Sequence, residues 1–317
     1  MFSMKRRDHP QFTAYLALVC LCFFWGTTYL GIRIALESFP PATLVCIRNL
    51  ISGSLILALG KLMGARVPRG RELWITAGLG AVTLGIGNGA LTLAELWVPS
   101  GLASVFISTS PFWFVGLDAL LPGGEPLHAP IIRAMLIGAA GAIFLAAPSA
   151  WSALSGDPHA AAGAGWGLLL LQLSAAGWSF GSLLQRRQQA RAHPFMSGAV
   201  GQLATGVVYL IPAIFEPGRV HGNARGASAI LYLAIFGGAV GFSCFSLAMS
   251  RLPVAVASIY TYVNPVVAVF LGWAVYREPL GLREWAAMAV IFTGVAMVRR
   301  ASSRQASQVQ AARLNSD

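Results

Sequence analysis

Charged residues are scarce in this chain of 317 amino acids. They make up 10 % of it, whereas an average soluble domain contains about 25 %. Hydrophobic residues make up 56 %, the mean hydropathy is +0.67, and the few charges cluster between long apolar runs. This composition excludes an ordinary soluble domain and predicts an all-α integral membrane protein that crosses the bilayer several times.

Acidic residues are even fewer than basic ones. Eleven aspartates and glutamates stand against 22 lysines and arginines, which gives a net charge of +11. In a membrane protein such an excess reflects lysine and arginine in cytoplasmic loops, so we do not expect a nucleic-acid partner. No two cysteines form a C-x-x-C pair, and we interpret all of them as small hydrophobic residues. They lie in apolar runs, at Cys20, Cys22, Cys46 and Cys244.

Several catalytic motifs are missing. The sequence has no G-x-x-x-x-G-K-[ST] phosphate loop, hence no intrinsic ATP motor, and no H-E-x-x-H metal motif. Its five histidines all fall in loops without metal-ligand spacing. An intramembrane enzyme would need clustered His, Asp or Glu within the apolar runs, and these runs contain almost none. The sequence therefore predicts neither an enzyme nor a cofactor or metal site.

Ten apolar runs are long enough to cross the hydrocarbon core as helices, which takes about 20 residues. The first follows Lys5-Arg6-Arg7 as in a signal peptide. It is longer than a signal sequence's apolar region and no cleavage site follows it, so we interpret it as a retained helix. The predicted spans are residues 14–36, 42–60, 73–94, 98–121, 130–147, 164–185, 197–215, 227–250, 254–276 and 281–299.

The basic residues predict the orientation of the chain. With the N-terminus in the cytoplasm, sixteen lysines and arginines lie on the inner side and five on the outer side, a strong positive-inside bias. An even number of spans places both termini inside. The basic tail 1–13 and the tail 300–317 are then cytoplasmic, and the connection 148–163 is periplasmic. The C-terminal tail is polar and is predicted to be disordered.

The two halves of the chain resemble each other. Five landmarks recur at an offset of 153 or 154 residues. They pair Trp25 with Trp178, Pro41 with Pro194, Pro111 with Pro265, Glu125 with Glu278, and Gly141 with Gly294. The repeats 14–147 and 164–299 each contain five predicted spans, and this odd number inverts the second copy in the membrane. Inverted repeats are typical of secondary transporters, because two similar halves can exchange conformations and open a pathway alternately to each side.

Three motifs carry a resemblance to a known family. They are "FFWGTTYLGIRIALESFPPATLVCIRNL" near the N-terminus, the doubled AS…P helix followed by E-P-L, and the closing "FTGVAMV". On these residues the chain is similar to the EamA branch of the drug/metabolite transporter (DMT) superfamily, from about residue 14 to 299. One departure is that "PGGEPLHAP" carries an extra residue relative to "YREPLGL".

The resemblance implies ten transmembrane helices in two inverted five-helix EamA repeats. It implies a secondary transporter of the bacterial inner membrane that exports amino acids or related small metabolites by alternating access. Its partners would be a small-molecule substrate and the lipid bilayer. Two alternatives stay open, an uptake permease and a non-transporting membrane scaffold. The substrate, the coupling ion and any homo-oligomeric state are not specified.

Polar residues within the spans are candidates for the substrate pathway, because such side chains face a partner or a wet cavity. Arg48 lies about six residues into the second span and could bind a carboxylate bidentately; alternatively it reaches the head groups or ties helices together. Tyr260 and Asn264, four residues apart, share one helix face, with an interhelical hydrogen bond as the alternative role. The full set of candidates is Trp25, Thr27, Thr28, Arg48, Asn88, Trp178, Ser179, Gln202, Tyr260 and Asn264.

Two prolines and three charged residues complete the expectations. Pro111 and Pro265 occupy equivalent positions within spans, and each is predicted to kink its helix by freeing the carbonyl four residues back. These kinks either shape the bundle or line the pathway. Asp118, near the inner end of the fourth span, is interpreted as interfacial. Arg277 and Glu278 are expected to form an interfacial ion pair beside a turn.

Overall fold

The computed structural model describes residues 10–124, 126–155, 158–188, 193–216, 220, 222–252, 256, 259–278 and 281–314. Within these residues every regular element is a helix. A helix satisfies its backbone polar groups internally, as the interior of a bilayer demands. The all-α fold predicted from composition is therefore confirmed.

The first half of the chain, as far as it is described, alternates long helices with shorter ones joined end to end. Proline is the first residue of α2. At this position a backbone N–H would have no partner within the helix, so the lack of one in proline costs nothing. The elements are α1 (Pro10–Leu36), α2 (Pro41–Leu62), α3 (Arg71–Gly80), a π-helical segment (Ala81–Ile86), α4 (Gly87–Ala94), α5 (Ser100–Ile107), α6 (Ser110–Leu120) and α7 (Ala129–Ser155).

The second half follows the same order. Proline again opens the helix equivalent to α2, and Arg277 ends α12 in a left-handed conformation with φ 54°. The elements are α8 (Pro158–Arg187), α9 (Pro194–Phe215), α10 (Ala224–Tyr232), a π-helical segment (Leu233–Val240), α11 (Gly241–Arg251), α12 (Tyr260–Tyr276) and α13 (Leu282–Leu314).

Each predicted span coincides with one helix or with consecutive helices of this series. In the described residues, seven helical stretches are long and apolar enough to cross a membrane, and Ala129–Leu145 is a shorter apolar helix. α12, with 17 residues, and α13, whose second half is polar, fall short of that measure. The multi-pass character is confirmed, whereas the count of ten spans stays a prediction. The seven are Phe12–Leu36, Pro41–Leu62, Arg71–Ala94, Ser100–Leu120, Ala162–Arg187, Pro194–Phe215 and Ala224–Arg251.

Two connecting segments differ from their predictions. α7 continues to Ser155 and α8 begins at Pro158, so most of the connection expected at 148–163 is helical. α13 continues to Leu314, so most of the C-terminal tail is also helical. Both stretches are rich in alanine, and the tail adds glutamine and arginine, which favour helix.

Parts of the predicted organisation lie outside the described residues. These are residues 1–9, 156–157 and 315–317 of the predicted tails and connection, Glu125 of the first E-P-L, residues 279–280 of the second, and residues 254–255 and 257–258 of the ninth predicted span.

The third and eighth predicted spans each contain one of the π-helical segments. π-Helical turns leave backbone groups outside the regular i to i−4 ladder and recur at functional sites. Each segment receives a hydrogen bond from an aromatic side chain of the other repeat. Trp25 Nε1 donates to the carbonyl of Gly237 over 3.0 Å, and the Tyr209 hydroxyl donates to that of Gly85 over 2.8 Å. Each repeat thus donates a side-chain hydrogen bond to the π-helical segment of the other repeat.

Equivalent helices of the two repeats pack together through equivalent glycines. Where α2 meets α9, Gly53 faces the backbone of Leu203 and Gly206 faces the backbone of Leu50. Both 206 − 53 and 203 − 50 equal 153, so this contact follows the offset of the sequence repeat. α7 and α13 also meet closely, with Gly294 against the backbone of α7. The two-repeat architecture is consistent with this symmetry.

Replacing Gly53 or Gly206 with alanine should destabilise the protein. A Cβ at Gly53 would lie 2.9 Å from the Leu203 nitrogen, and a Cβ at Gly206 would lie 3.0 Å from the Leu50 nitrogen. Overpacking of this kind costs about 1–3 kcal/mol, so we expect a lower Tm for both variants in detergent. Gly78→Ala is the control, since no atom lies within 4 Å of the added Cβ. Equal Tm values for all three variants would contradict the close packing.

Candidate functional site

A cavity of about 140 Å³ lies where helices of both repeats converge. By the same measure one water needs roughly 10–15 Å³, so the space suits a small metabolite. Aromatic rings and polar groups line it together, as in other ligand sites. The polar lining residues, apart from the indoles, are Thr28, Tyr29, Arg48, Asn49, Asn88, Ser104, Ser108, Ser110, Ser174, Gln202, Tyr260, Thr261 and Asn264.

Eight of the ten predicted pathway residues line this cavity, and their contact with a substrate stays a prediction. They come from both repeats, and the kink residue Pro265 lies among them. Thr27, Ser179 and Pro111 are not part of the lining. The eight are Trp25, Thr28, Arg48, Asn88, Trp178, Gln202, Tyr260 and Asn264.

The two matched tryptophans contact each other on the lining of the cavity. The rings of Trp25 and Trp178 lie 5.7 Å apart at 88°, an edge-to-face contact. Trp25 also stacks on Phe245 at 5.3 Å and meets Tyr260 edge-on at 5.3 Å. Such aromatic pairs contribute about 0.5–1.5 kcal/mol each beyond their buried area. Equivalent residues of the two repeats therefore form one wall.

Arg48 is a cation buried beside this wall. Its side chain is 7 % exposed, it lines the cavity, and its Nη1 has no hydrogen-bond partner. A buried guanidinium nitrogen without a partner is unfavourable, so an anion placed here gains a charge-assisted hydrogen bond that nothing within the protein already makes. This burial disfavours the alternative that Arg48 reaches the lipid head groups.

Two of the amides on the lining, Gln202 and Asn49, are held by hydrogen bonds within the protein. Gln202, the counterpart of Arg48 in the second repeat, accepts a hydrogen bond from the Ser52 hydroxyl through its Oε1. Asn49 Nδ2 donates to the carbonyl of Val45 over 2.8 Å. Asn88 is half-buried on α4. These groups can fix the orientation of a polar ligand next to Arg48.

The two prolines have different surroundings. α5 ends at Ile107 and α6 begins at Ser110, so the span is interrupted just before Pro111. The Ser110 hydroxyl donates to the carbonyl of Ile107 over 2.5 Å and satisfies the group that the proline frees. Pro265 lies inside the continuous helix α12 and is buried on the cavity wall. The matched prolines thus interrupt one helix and leave the other continuous.

Asn264, the unmatched residue before Pro265, faces α1. In the amide orientation that satisfies its neighbours, its nitrogen donates to the carbonyls of Cys22 (2.9 Å) and Tyr260 (3.1 Å). The interhelical hydrogen bond considered as its alternative role is therefore present. Asn264 also lines the cavity, so both roles are compatible.

Thr27 and Ser179 point into helix contacts instead of the cavity. The Thr27 hydroxyl donates to the carbonyl of Phe24 over 2.8 Å and lies 2.5 Å from the Tyr232 hydroxyl. The Ser179 hydroxyl donates to the carbonyl of Ser110 over 3.0 Å. Helix periodicity explains their displacement, because each follows a tryptophan on the lining by one or two residues and so lies on another face.

The two expectations for charged residues have different outcomes. Glu278 is not paired with Arg277, so that expectation is wrong. Its carboxylate accepts hydrogen bonds from the backbone N–H and hydroxyl of Ser100 and from the N–H of Gly101, each over 2.9 Å. An anion at the N-terminus of α5 is favoured by the helix dipole. Asp118 pairs with Arg187 over 2.9 Å with both side chains partly exposed, in agreement with an interfacial position.

Tyr29, Asn49 and Glu95 are among the residues that sequence reasoning did not single out. Tyr29 and Asn49 each lie one residue after a lining residue, and no repeat landmark marks them. Glu95 borders the third predicted span, and its side chain is 1 % exposed. From the sequence alone, a carboxylate at the end of a span is expected to lie at the membrane interface. Only the packing of α1 and α2 against Glu95 shows that it is buried.

Membrane-crossing helices in two packed repeats around a shared cavity with polar lining groups are typical of membrane transport proteins. The EamA-like transporter family matches the chain twice, over residues 12–147 and 165–300. The chain therefore belongs to the EamA-like transporter family, and the resemblance to the DMT superfamily is confirmed.

Named relatives agree with this assignment. The inner membrane transporter YedA of Escherichia coli (strain K12) is 35 % identical over 285 residues, which is 89 % of each chain. A probable terminal-alkyne amino-acid exporter of Streptantibioticus cattleyicolor is 28 % identical over 279 residues, 85 % of this chain and 88 % of that one. A solved crystal structure of another protein superposes on this chain with a TM-score of 0.66 at 23 % sequence identity. The superposition covers 92 % of this chain and 98 % of the other chain, which shows that the two share a fold.

Proposed function

We propose that the protein is a secondary transporter of the bacterial inner membrane that exports amino acids or related small metabolites by alternating access. Ten transmembrane helices would form two inverted five-helix repeats, with both termini in the cytoplasm. The observation that carries the proposal is the cavity shared by both repeats, which is lined by Arg48, a cation with a buried nitrogen that has no hydrogen-bond partner.

The chemistry of the lining supports a small substrate with a carboxylate. Arg48 suits the carboxylate, the amides of Asn88 and Gln202 suit a second polar group, and the wall around Trp25 suits an apolar side chain. An amino acid combines these features. The named amino-acid exporter among the relatives supports the same substrate class.

A flux screen tests the proposed function. Purified protein is reconstituted in proteoliposomes loaded with unlabelled L-amino acids, and uptake of each radiolabelled amino acid by exchange is measured against protein-free liposomes. We expect carrier-dependent exchange of at least one amino acid. Folded protein without exchange of any of them, or of related small carboxylates, would overturn the proposal and favour the scaffold alternative.

The direction of transport needs a separate test in cells. Deleting an exporter leaves a toxic amino-acid analogue inside the cell and increases sensitivity to it. Deleting an uptake permease excludes the analogue and confers resistance. We expect sensitivity in the deletion strain, restored to normal by the cloned gene; resistance would favour the uptake permease.

Asn264→Ala should alter transport more than folding. The substitution removes a lining amide together with its hydrogen bonds to Cys22 and Tyr260. Interhelical hydrogen bonds of this type contribute only about 0.6–2 kcal/mol in membranes, so we expect a small decrease in Tm. We expect a several-fold change in exchange rate or in substrate preference. Ser250→Ala, on the exposed end of α11, is the control; unchanged rate and preference for Asn264→Ala would contradict the assignment.

A further inference from the structure

Glu95 is a buried carboxyl group beside the cavity. It follows directly on α4, its side chain is 1 % exposed, and neither carboxyl oxygen has a hydrogen-bond partner. An ionised carboxylate in such a place is unfavourable unless a cation pairs with it. Because no cation among the described residues forms a hydrogen bond with either oxygen in this conformation, burial favours the protonated form of Glu95.

Among the described residues, the titratable groups that act electrostatically on Glu95 or on its neighbour Tyr29 are Tyr29 and Arg33 of α1, Arg48 of α2, Tyr260 of α12, and Glu278 after α12. Arg33 donates from Nη1 to the backbone carbonyl of Glu95 over 2.9 Å, and its guanidinium lies over the Tyr276 ring. Both carboxylate oxygens of Glu278 accept hydrogen bonds from the N-terminus of α5.

Of the two cations near Glu95, Arg33 donates a hydrogen bond to the backbone carbonyl of Glu95, whereas Arg48 has a buried nitrogen without a hydrogen-bond partner. That nitrogen is Nη1; Arg48 also lines the cavity, and its charge interacts with that of Glu95. Arg48 therefore has two possible anionic partners, an ionised Glu95 from within the protein and a carboxylate that enters the cavity. One guanidinium nitrogen cannot serve both at full strength.

We propose that Glu95 is a proton-binding residue of the transport cycle, protonated while Arg48 holds the substrate carboxylate and ionised when it pairs with Arg48 itself. This rests on the proposed function. In the loaded state Arg48 and the substrate carboxylate neutralise each other, and a proton taken from water neutralises Glu95. In the unloaded state that proton returns to water, and Glu95 and Arg48 neutralise each other. Neither Arg48 nor Glu95 then carries an uncompensated charge in either state.

This alternation of partners for Arg48 determines how transport is coupled to protons. Each carboxylate moves together with one proton, in the same direction. A proton gradient directed inward would then favour uptake, so net export requires an outward gradient of the substrate that exceeds the inward gradient of protons. Binding of the carboxylate and of the proton must also favour each other to the same extent, because linkage is reciprocal.

Infrared spectroscopy tests the proton site without any transport. The protein is titrated with base, and the carbonyl band of protonated carboxyl groups is compared between wild type, Glu95→Gln and Glu37→Gln. Glutamine has nearly the shape of a protonated glutamate, so we expect Glu95→Gln to fold with an unchanged Tm. Glu37, a partly exposed ion-pair partner of Arg225, is the matched control.

The expected spectrum has a band that Glu95→Gln lacks and Glu37→Gln retains. With a mixture of L-amino acids present, this band should persist to a pH higher by at least about one unit, which corresponds to a tenfold linkage. A titration of Glu95→Gln that is identical to wild type would overturn the proposal. So would a wild-type band that does not respond to the amino acids although they exchange in proteoliposomes.

Gradient-driven transport separates this proposal from the proposed function. With a pH gradient of about one unit, wild type and Glu37→Gln should accumulate labelled L-amino acids up to about tenfold. Glu95→Gln should still exchange them but not accumulate them. Exchange without accumulation in wild type would overturn the proposal and leave the proposed function standing. Absence of exchange in every variant would overturn the proposed function, and with it the coupling.

Discussion

Arg48→Met should lower the exchange of amino acids about 10- to 100-fold while leaving the protein at least as stable as wild type. A hydrogen bond to a charged group contributes roughly 1.5–3 kcal/mol, which accounts for the loss of flux. The stability follows from the environment of Arg48, because a buried guanidinium nitrogen without a partner is replaced by an apolar side chain of similar length. Exchange in proteoliposomes and Tm in detergent are the two measurements.

Two further variants make this prediction specific. Arg48→Lys keeps the charge but loses the planar fork, so we expect an intermediate rate. Arg225→Met removes an exposed cation of the Glu37 ion pair and should leave the flux unchanged. A folded Arg48→Met protein with the flux of wild type would show that the cation has only a structural role.

Trp25→Ala should damage both stability and transport. It removes the hydrogen bond to Gly237 and the ring contacts with Trp178, Phe245 and Tyr260. Truncating a packed tryptophan costs about 3–5 kcal/mol, so we expect a clearly lower Tm. The loss of the hydrogen bond to the π-helical segment should also reduce the exchange rate of the protein that remains folded.

Trp25→Phe separates the hydrogen bond from the packing. It retains an aromatic ring against Phe245 but cannot donate to Gly237, so we expect a destabilisation of about 0.5–1.5 kcal/mol. Trp74→Ala, at a side chain that is 76 % exposed, is the control and should resemble wild type. If Trp25→Ala matches Trp74→Ala in Tm and flux, the central aromatic wall is not needed for either.

Much of the fold could be predicted from the sequence, because hydropathy marks the membrane-crossing helices and the repeat marks two equivalent halves. The offset between Trp25 and Trp178 predicted two equivalent halves, and these two rings do contact each other in the structure. The helical tail was missed, because low hydropathy was read as disorder although alanine and glutamine favour helix. The π-helical segments leave no simple compositional signal.

Only part of the candidate site could be predicted from the sequence. Arg48 and Gln202 stand out as polar residues in apolar runs, and both line the cavity. Glu95 does not stand out, because its burial depends on helices α1 and α2 that are distant in sequence. Ser179 was expected beside Trp178 on the pathway, but a shift of one residue, about 100° around the helix axis, turns it toward Ser110.

Accessibility of the cavity from the two sides of the membrane tests alternating access most directly. Asn88→Cys is introduced after the four native cysteines are replaced by alanine or serine, and membrane-impermeant thiol reagents are applied from either side of oriented vesicles. Because Asn88 lines the shared cavity, we predict labelling from both sides, slowed by transported amino acids. Labelling from one side only, in a protein that still exchanges substrate, would contradict a cavity that opens alternately to each side.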